Sequence, residues 1–349
     1  MPRPVKVLLV DDSSVVLGAY KVFLGQYPGI EVVGTAQDPY EARKQIFQTK
    51  PDVLVLDIHM PKMDGITFLR HLMKRLPTPV IIVSKFADTD SDIALEAKNY
   101  GAIAVMGKVN AGTSHKEYYD QLAAHIRAAS KVNVRALTST AQVKKEKFTT
   151  PVPSPLPLKS IIKRELIIIG CSTGGPQSLE RIMTKFPKGT PGMIIVQHMP
   201  ANFTGMLAHR LDKVSDLSIT EAMHGNIIEP GCCLIAPGER HLEVRKRGDD
   251  YVVALNDGPR VHGVKPSVDI ALESVAACAP GKATVAILTG MGRDGAEGAK
   301  KMHAVGNPVI AQDEETSIVF GMPREAIATG IVYQVKPLEE IPQAILNVL

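Results

Sequence analysis

The chain has 349 residues, 45% of them hydrophobic, with 40 Lys+Arg against 36 Asp+Glu. A single hydrophobic core usually stops growing near ~250 residues, so this length points to two domains. A net charge of +4, the absence of tryptophan and the scarcity of aromatics argue against a nucleic-acid partner. Cys171, Cys232, Cys233 and Cys278 form no C-x-x-C pair and no zinc-spaced cluster, so reduced thiols are expected. The N-terminus lacks the apolar run of a signal peptide, and no stretch approaches the ~18 apolar residues of a membrane span. The expectation is a cytoplasmic protein with no direct membrane insertion.

Residues 1–130 alternate short apolar runs, at 5–10, 30–35, 53–57, 80–84 and 102–106, with amphipathic stretches near 14–26, 39–49, 65–75, 88–99 and 114–129. Strands alternating with helices predict a doubly wound domain with a parallel sheet covered on both faces. The stretch 131–163 is basic, with prolines at 151, 153, 155 and 157, and is expected to be an extended linker. In 164–349 the alternation resumes, with apolar runs at 166–169, 193–196, 232–236, 252–255, 285–288 and 331–335. Helical patterns lie near 176–186, 202–211, 267–278, 294–305 and 338–348. The segment 232–256 holds short strands around Gly248-Asp249 with no helix between them. It is expected to form a small antiparallel meander attached to a second, mostly parallel, α/β sheet.

In a doubly wound sheet functional groups collect at the carboxyl ends of the strands. Asp11 and Asp12 follow the first run, Asp57 the third, Ser84 the fourth and Lys108 the fifth. Packed carboxylates repel unless a cation joins them, and hard oxygen ligands favour Mg²⁺, with Asp11, Asp12 and Asp57 as the metal set. A hydroxyl and an ammonium added to that cluster make a phosphoryl-acceptor site. Asp57 would be the acceptor, Lys108 would hold phosphoryl oxygens and Ser84 would report the event. The segment 5–129 resembles a response-regulator receiver domain, and the run Asp57-Ile58-His59-Met60-Pro61-Lys62-Met63-Asp64-Gly65 matches that family's phosphorylation loop. It departs from the family in two places. Val109 stands where proline usually follows the lysine, and Val105 stands where an aromatic is common. Signalling through an aromatic at position 105 is therefore not expected.

The first run of the second domain leads into Cys171-Ser172-Thr173-Gly174-Gly175-Pro176 and then a helix. A serine at a strand-to-helix turn supports either a nucleophile beside an oxyanion hole or a phosphate-binding loop, and the loop alone does not decide. The next strand delivers Gln197-His198-Met199-Pro200, and the strand at 285–288 delivers Thr289-Gly290-Met291-Gly292-Arg293-Asp294-Gly295. A serine hydroxyl needs a histidine to take its proton, and the histidine needs a carboxylate to orient it. Ser172, His198 and Asp294 fit these roles, with Glu239, His241 and His262 as competitors from other loops.

The stretches 170–176, 197–200, 235–242, 265–269, 289–295 and 311–324 resemble the catalytic domain of the chemotaxis protein-glutamate methylesterase family, CheB. The resemblance implies Ser172 as nucleophile, His198 as general base and Asp294 as its orienting carboxylate. It also implies Thr173 and the Met291 N–H near the oxyanion hole. It further implies hydrolysis of γ-glutamyl methyl esters on methyl-accepting chemoreceptors, with deamidation of receptor glutamines by the same machinery and no cofactor for the hydrolysis. The implied phosphodonor is a chemotaxis histidine kinase, and the unphosphorylated receiver is expected to restrain the catalytic domain. The alternative is a non-catalytic response regulator that binds a phosphorylated ligand through 172–176. A serine-directed fluorophosphonate separates the two.

Overall fold

A computed structural model of the chain describes residues 3–84, 96–98, 100–109, 114–132 and 166–349. The chain divides into two compact units, Met1–Lys144 and Lys145–Leu349. Most of the linker expected at 131–163 and most of the helical stretch at 88–99 lie outside the described residues.

The described elements of the first unit are β1 (Val5–Val10), α1 (Ser14–Leu24), β2 (Ile30–Ala36), α2 (Pro39–Thr49), β3 (Val53–Leu56), α3 (Gly65–Arg75), β4 (Val80–Ser84), β5 (Ala104–Gly107) and α4 (His115–Ala129). The strands form one parallel sheet in the order β2-β1-β3-β4-β5. β3 and β4 are buried along their whole length, as the near-continuous apolar runs of a doubly covered parallel sheet require. Helix starts follow from side-chain caps. Asp38 accepts from the Tyr40 and Glu41 N–H groups at 2.9 Å, and Asp64 from Thr67 at 2.8 Å, so each carboxylate satisfies first-turn N–H groups that have no partner within their helix. The strand order reverses between β1 and β3, where Val10 lies beside Leu56. The residues that follow, Asp11 and Asp57, therefore emerge side by side at the topological switch point.

The second unit contains β6 (Leu166–Cys171), α5 (Gly175–Met183), β7 (Gly192–Gln197), α6 (Ala201–Asp212), β8 (Ser218–Glu221), β9 (Cys232–Ile235), β10 (His241–Arg247) and β11 (Asp250–Asn256). It continues with α7 (Val268–Cys278), β12 (Ala283–Ile287), α8 (Ala296–Ala304), β13 (Val309–Gln312), α9 (Met322–Ala328), β14 (Gln334–Lys336) and α10 (Ile341–Leu346). Seven strands make a parallel sheet in the order β14-β13-β12-β6-β7-β9-β8. Its core includes Ile168, Ile194, Val268, Leu272, Ile287 and Met302. The antiparallel part expected in 232–256 is the hairpin β10–β11, turning at Gly248-Asp249 with Arg247 opposite Asp250. The first strand of that segment, β9, instead pairs parallel with β7 and β8 and belongs to the main sheet. Here too the order reverses at the sheet centre, between β6 and β12.

Candidate active site

Ser172 leaves β6 at this second switch point, and backbone pairing ties its turn to both neighbouring strands. Its N–H donates to Thr289 O at 3.0 Å, beyond the end of β12. His198 N–H donates to Cys171 O at 3.2 Å, after β7. The buried Gln197 clamps the two loops, its side-chain NH₂ donating to Ser172 O and His198 O, each at 3.0 Å. Two glycines make this approach feasible. A Cβ on Gly175 would lie 1.9 Å from Gln197 Oε1, and one on Gly290 would lie 2.8 Å from Ser172 Cβ.

His198 and Asp294 meet. His198 Nε2 lies 2.7 Å from Asp294 Oδ2, with the two side chains only 8% and 3% exposed. Asp294 also accepts from Ser267 Oγ at 2.8 Å and from the N–H groups of Val268 at 2.7 Å and Asp269 at 3.1 Å. Burial alone would raise this carboxyl. The His198 contact, the Val268 N–H and the Ser267 hydroxyl outweigh burial and hold its pKa down at about 2. Asp269 moves the other way, pushed up to about 6 by burial and by the charge of Asp294, although the Gly298 N–H opposes the shift.

No hydrogen bond joins Ser172 Oγ to His198 among the described residues. Catalytic bonds of this kind often tighten only around substrate. The competitors have other work. His241 is buried, with Nε2 2.9 Å from Pro259 O and Nδ1 accepting from Ser267 N–H at 3.2 Å. His262 lies against Asp269 at 3.2 Å, and Glu239 pairs with Arg260. Neither the Thr173 nor the Met291 N–H donates to a protein acceptor among the described residues. Thr289 shapes this rim, its hydroxyl donating to Thr173 O at 2.9 Å and accepting from Val319 N–H at 2.9 Å. Sequence reasoning missed the roles of Gln197, Ser267 and Thr289. Their one signal was adjacency to the strand-end motifs.

In the first unit Lys108 Nζ lies 2.6 Å from Asp11 Oδ2 and 2.9 Å from Asp57 Oδ2. Burial raises the pKa of Asp57 and the Asp11 charge adds to it, against the opposing pull of Lys108. Asp12 stands exposed beside these two, and the three residues offer oxygens within 4.8 Å of one another. A buried carboxylate pair in mutual repulsion, with a third at the rim, fits a hard divalent cation. Ser84 ends β4, its Oγ 3.5 Å from His59 Nδ1. Val105 sits within β5 opposite Ile82, filling the position an aromatic would take.

An acidic switch-point site on one unit, with a Ser, His and Asp grouping on the other, defines a response regulator that carries an α/β output domain. Comparison with known proteins narrows the class. Residues 7–114 match the response regulator receiver domain, and residues 167–345 match the CheB methylesterase family. The protein-glutamate methylesterase/protein-glutamine glutaminase 4 of Anaeromyxobacter dehalogenans is 43% identical, covering 99% of this chain and 95% of the relative. A counterpart from Pseudomonas aeruginosa is 40% identical, over 99% of this chain and 97% of its own length. The solved CheB methylesterase catalytic domain of Thermotoga maritima is 40% identical, with TM-score 0.53, covering 54% of this chain and all of that one. The chain belongs to the CheB family of protein-glutamate methylesterases. Among the described residues no helix is long and apolar enough to cross a membrane.

Proposed function

We propose that the chain hydrolyses γ-glutamyl methyl esters of chemoreceptors through Ser172, His198 and Asp294, under control of phosphorylation at Asp57. The observation that carries this reading is the 2.7 Å contact of His198 Nε2 with Asp294, beside the Ser172 turn. Because Asp294 takes Nε2–H, Nδ1 is the ring nitrogen left to accept the serine proton, the reverse of the chymotrypsin arrangement. Ser172 Oγ bonds to the ester carbonyl carbon as its proton passes to His198. Asp294 stabilises the imidazolium, and the Thr173 and Met291 N–H groups hold the oxyanion. The carbon–methoxy bond then breaks, and methanol departs with the proton from His198. Water, deprotonated by His198, attacks the acyl-serine carbonyl, the carbon–Oγ bond breaks, His198 returns the proton to Ser172 Oγ, and glutamate is released. A receptor glutamine would follow the same steps with ammonia as leaving group, the activity that the relatives' names also carry.

On the first unit Asp57 is the phosphoacceptor and a chemotaxis histidine kinase the donor. Asp11, Asp12 and Asp57 would hold Mg²⁺, which would offset the charge gathered there during phosphoryl transfer. Lys108 holds the phosphoryl oxygens and Ser84 responds to them. The protein works in the cytoplasm, where receptor signalling bundles and the kinase both present their substrates.

The test is covalent labelling with a fluorophosphonate alongside methanol release from methylated receptor membranes. Wild type should do both, and Ser172→Ala should do neither while keeping the wild-type melting temperature. Labelling or turnover at wild-type rates in the folded variant removes Ser172 as nucleophile. Phosphopeptide binding without labelling would favour the ligand-binding alternative.

A further inference from the structure

Asp269 lies in the first turn of α7 and is 4% exposed. Its backbone N–H, with that of Val268 and the Ser267 hydroxyl, ends on the carboxylate of Asp294. Its own side chain returns the contact. Asp269 Oδ1 accepts from the N–H of Gly295 at 2.9 Å and of Gly298 at 2.7 Å, at the start of α8. Asp294 immediately precedes Gly295, the N-cap of α8. Thus Asp294, just before α8, caps the first N–H groups of α7, and Asp269 of α7 caps the Gly295 and Gly298 N–H groups at the start of α8. The helices are in close contact at this point, since a Cβ on Gly298 would lie 3.0 Å from Asp269 Cα and 2.7 Å from Leu272 Cβ.

The exchange matters because the first N–H groups of a helix have no partner within it, and a carboxylate there is held by both hydrogen bonds and the helix dipole. A carboxylate accepts about four hydrogen bonds. Asp294 fills that capacity with His198, Ser267, Val268 and Asp269. Three of its four donors come from the beginning of α7, so its aim at His198 depends on how α7 and the 294–298 segment are joined. Asp269 supplies that joint. The outer oxygen of Asp269 meets His262 Nε2 at 3.2 Å, and Arg293 Nε donates to His262 Nδ1 at 3.3 Å, so a neutral His262 donates inward from Nε2.

We infer that Asp269 is a positioning residue of the hydrolase: it acts through Asp294, fixing that carboxylate on His198 by the exchanged caps. The inference rests on the triad reading above and adds to it a residue that never touches substrate. A purely structural role would lower stability and leave turnover of the folded protein unchanged. A positioning role lowers kcat, and only while Asp294 is present.

The experiment measures kcat, KM and melting temperature of the full chain on methylated receptor membranes, with Ser172→Ala run in parallel. Asp269→Ala should lose about 10- to 100-fold in kcat, the cost of a small misplacement, with KM within about twofold. Asp269→Asn keeps an oxygen for the Gly295 and Gly298 N–H groups and should recover to within about threefold of wild type. In an Asp294→Ala background, Asp269→Ala should cost less than about twofold further, because residues acting as a unit are not additive. Its melting-temperature loss should persist in both backgrounds. Asp269→Ser, which withdraws the oxygen from Gly298 while leaving a polar residue in the first turn, should repeat the pattern if the alanine variant does not fold. A folded Asp269→Ala or Asp269→Ser protein with wild-type kcat overturns the inference, as does a loss that multiplies with Asp294→Ala. Failure of the parent reading looks different: there Ser172→Ala would match wild type.

Discussion

At Asp294 four donors meet one buried carboxylate, and the consequence is thermodynamic as well as catalytic. Its pKa in the folded chain is lowered from 3.8 to about 2, because the His198 contact and the hydrogen bonds from Val268 and Ser267 overcome burial. A carboxyl depressed in this way contributes stability that is fully present above the unfolded value and is lost as pH falls through the folded one. Thermal melts of wild type and Asp294→Asn should therefore differ most above about pH 5, with the wild-type advantage shrinking as pH falls toward about 3. An advantage that holds constant or grows on acidification contradicts the assignment. Ser172, His198 and Asp294 stood out in the sequence because each follows an apolar run that marks a strand end, and the structure brings His198 and Asp294 into contact. Gln197 and Ser267 did not stand out. Gln197 reaches Ser172, 25 residues away, and Ser267 reaches Asp294, 27 residues away, and neither residue type announces such a contact. Position alone left His241 and His262 as competitors of His198, and the resemblance chose among them; the structure sets His198 against Asp294, His241 against Pro259 O and His262 against Asp269.

At the scale of elements, the second unit works by bringing three strand-end turns within contact of each other. One close approach is between the turn after β12 and the turn after β6. A Cβ on Gly290 would lie 2.3 Å from Met322 Sδ and 2.8 Å from Ser172 Cβ. The methionine is flexible and can yield, whereas Ser172 can move only by leaving its place. Gly290→Ala should therefore slow fluorophosphonate labelling by about tenfold or more while costing about 1–3 kcal/mol of stability. Labelling at the wild-type rate in the folded variant would contradict this close packing. The central strands were legible because burial on both faces writes continuous apolar runs. β8 was missed because its burial alternates on the sheet edge, with Ser218 and Thr220 exposed. β13, a buried four-residue strand, was not read although β3 of the same length was, and β14 lies partly beyond the apolar run at 331–335 that announced it. β10 was expected only as part of the antiparallel segment around Gly248-Asp249 and marked by no apolar run of its own, because its second half, Arg245-Lys246-Arg247, faces solvent.

At the scale of the whole molecule, Ser172, His198 and Asp294 all lie in the unit Lys145–Leu349, which has its own core. The Asp11, Asp12 and Asp57 cluster lies in Met1–Lys144. The two-domain division was legible from length and from the break in alternation. If the receiver restrains the catalytic unit, deleting residues 1–145 should raise the initial rate of methanol release above that of the unphosphorylated full chain. A folded fragment no faster than its parent contradicts restraint and leaves the esterase assignment standing. The account's central claim is that phosphorylation of Asp57 controls ester hydrolysis at Ser172. The most direct test is methanol release from methylated receptor membranes with Mg²⁺, with and without a small-molecule phosphodonor, for wild type and Asp57→Ala. The predicted result is a rate that rises with phosphodonor in wild type and stays at the basal level in Asp57→Ala. An equal rise in both proteins, or no methanol release by wild type under either condition, would contradict the claim.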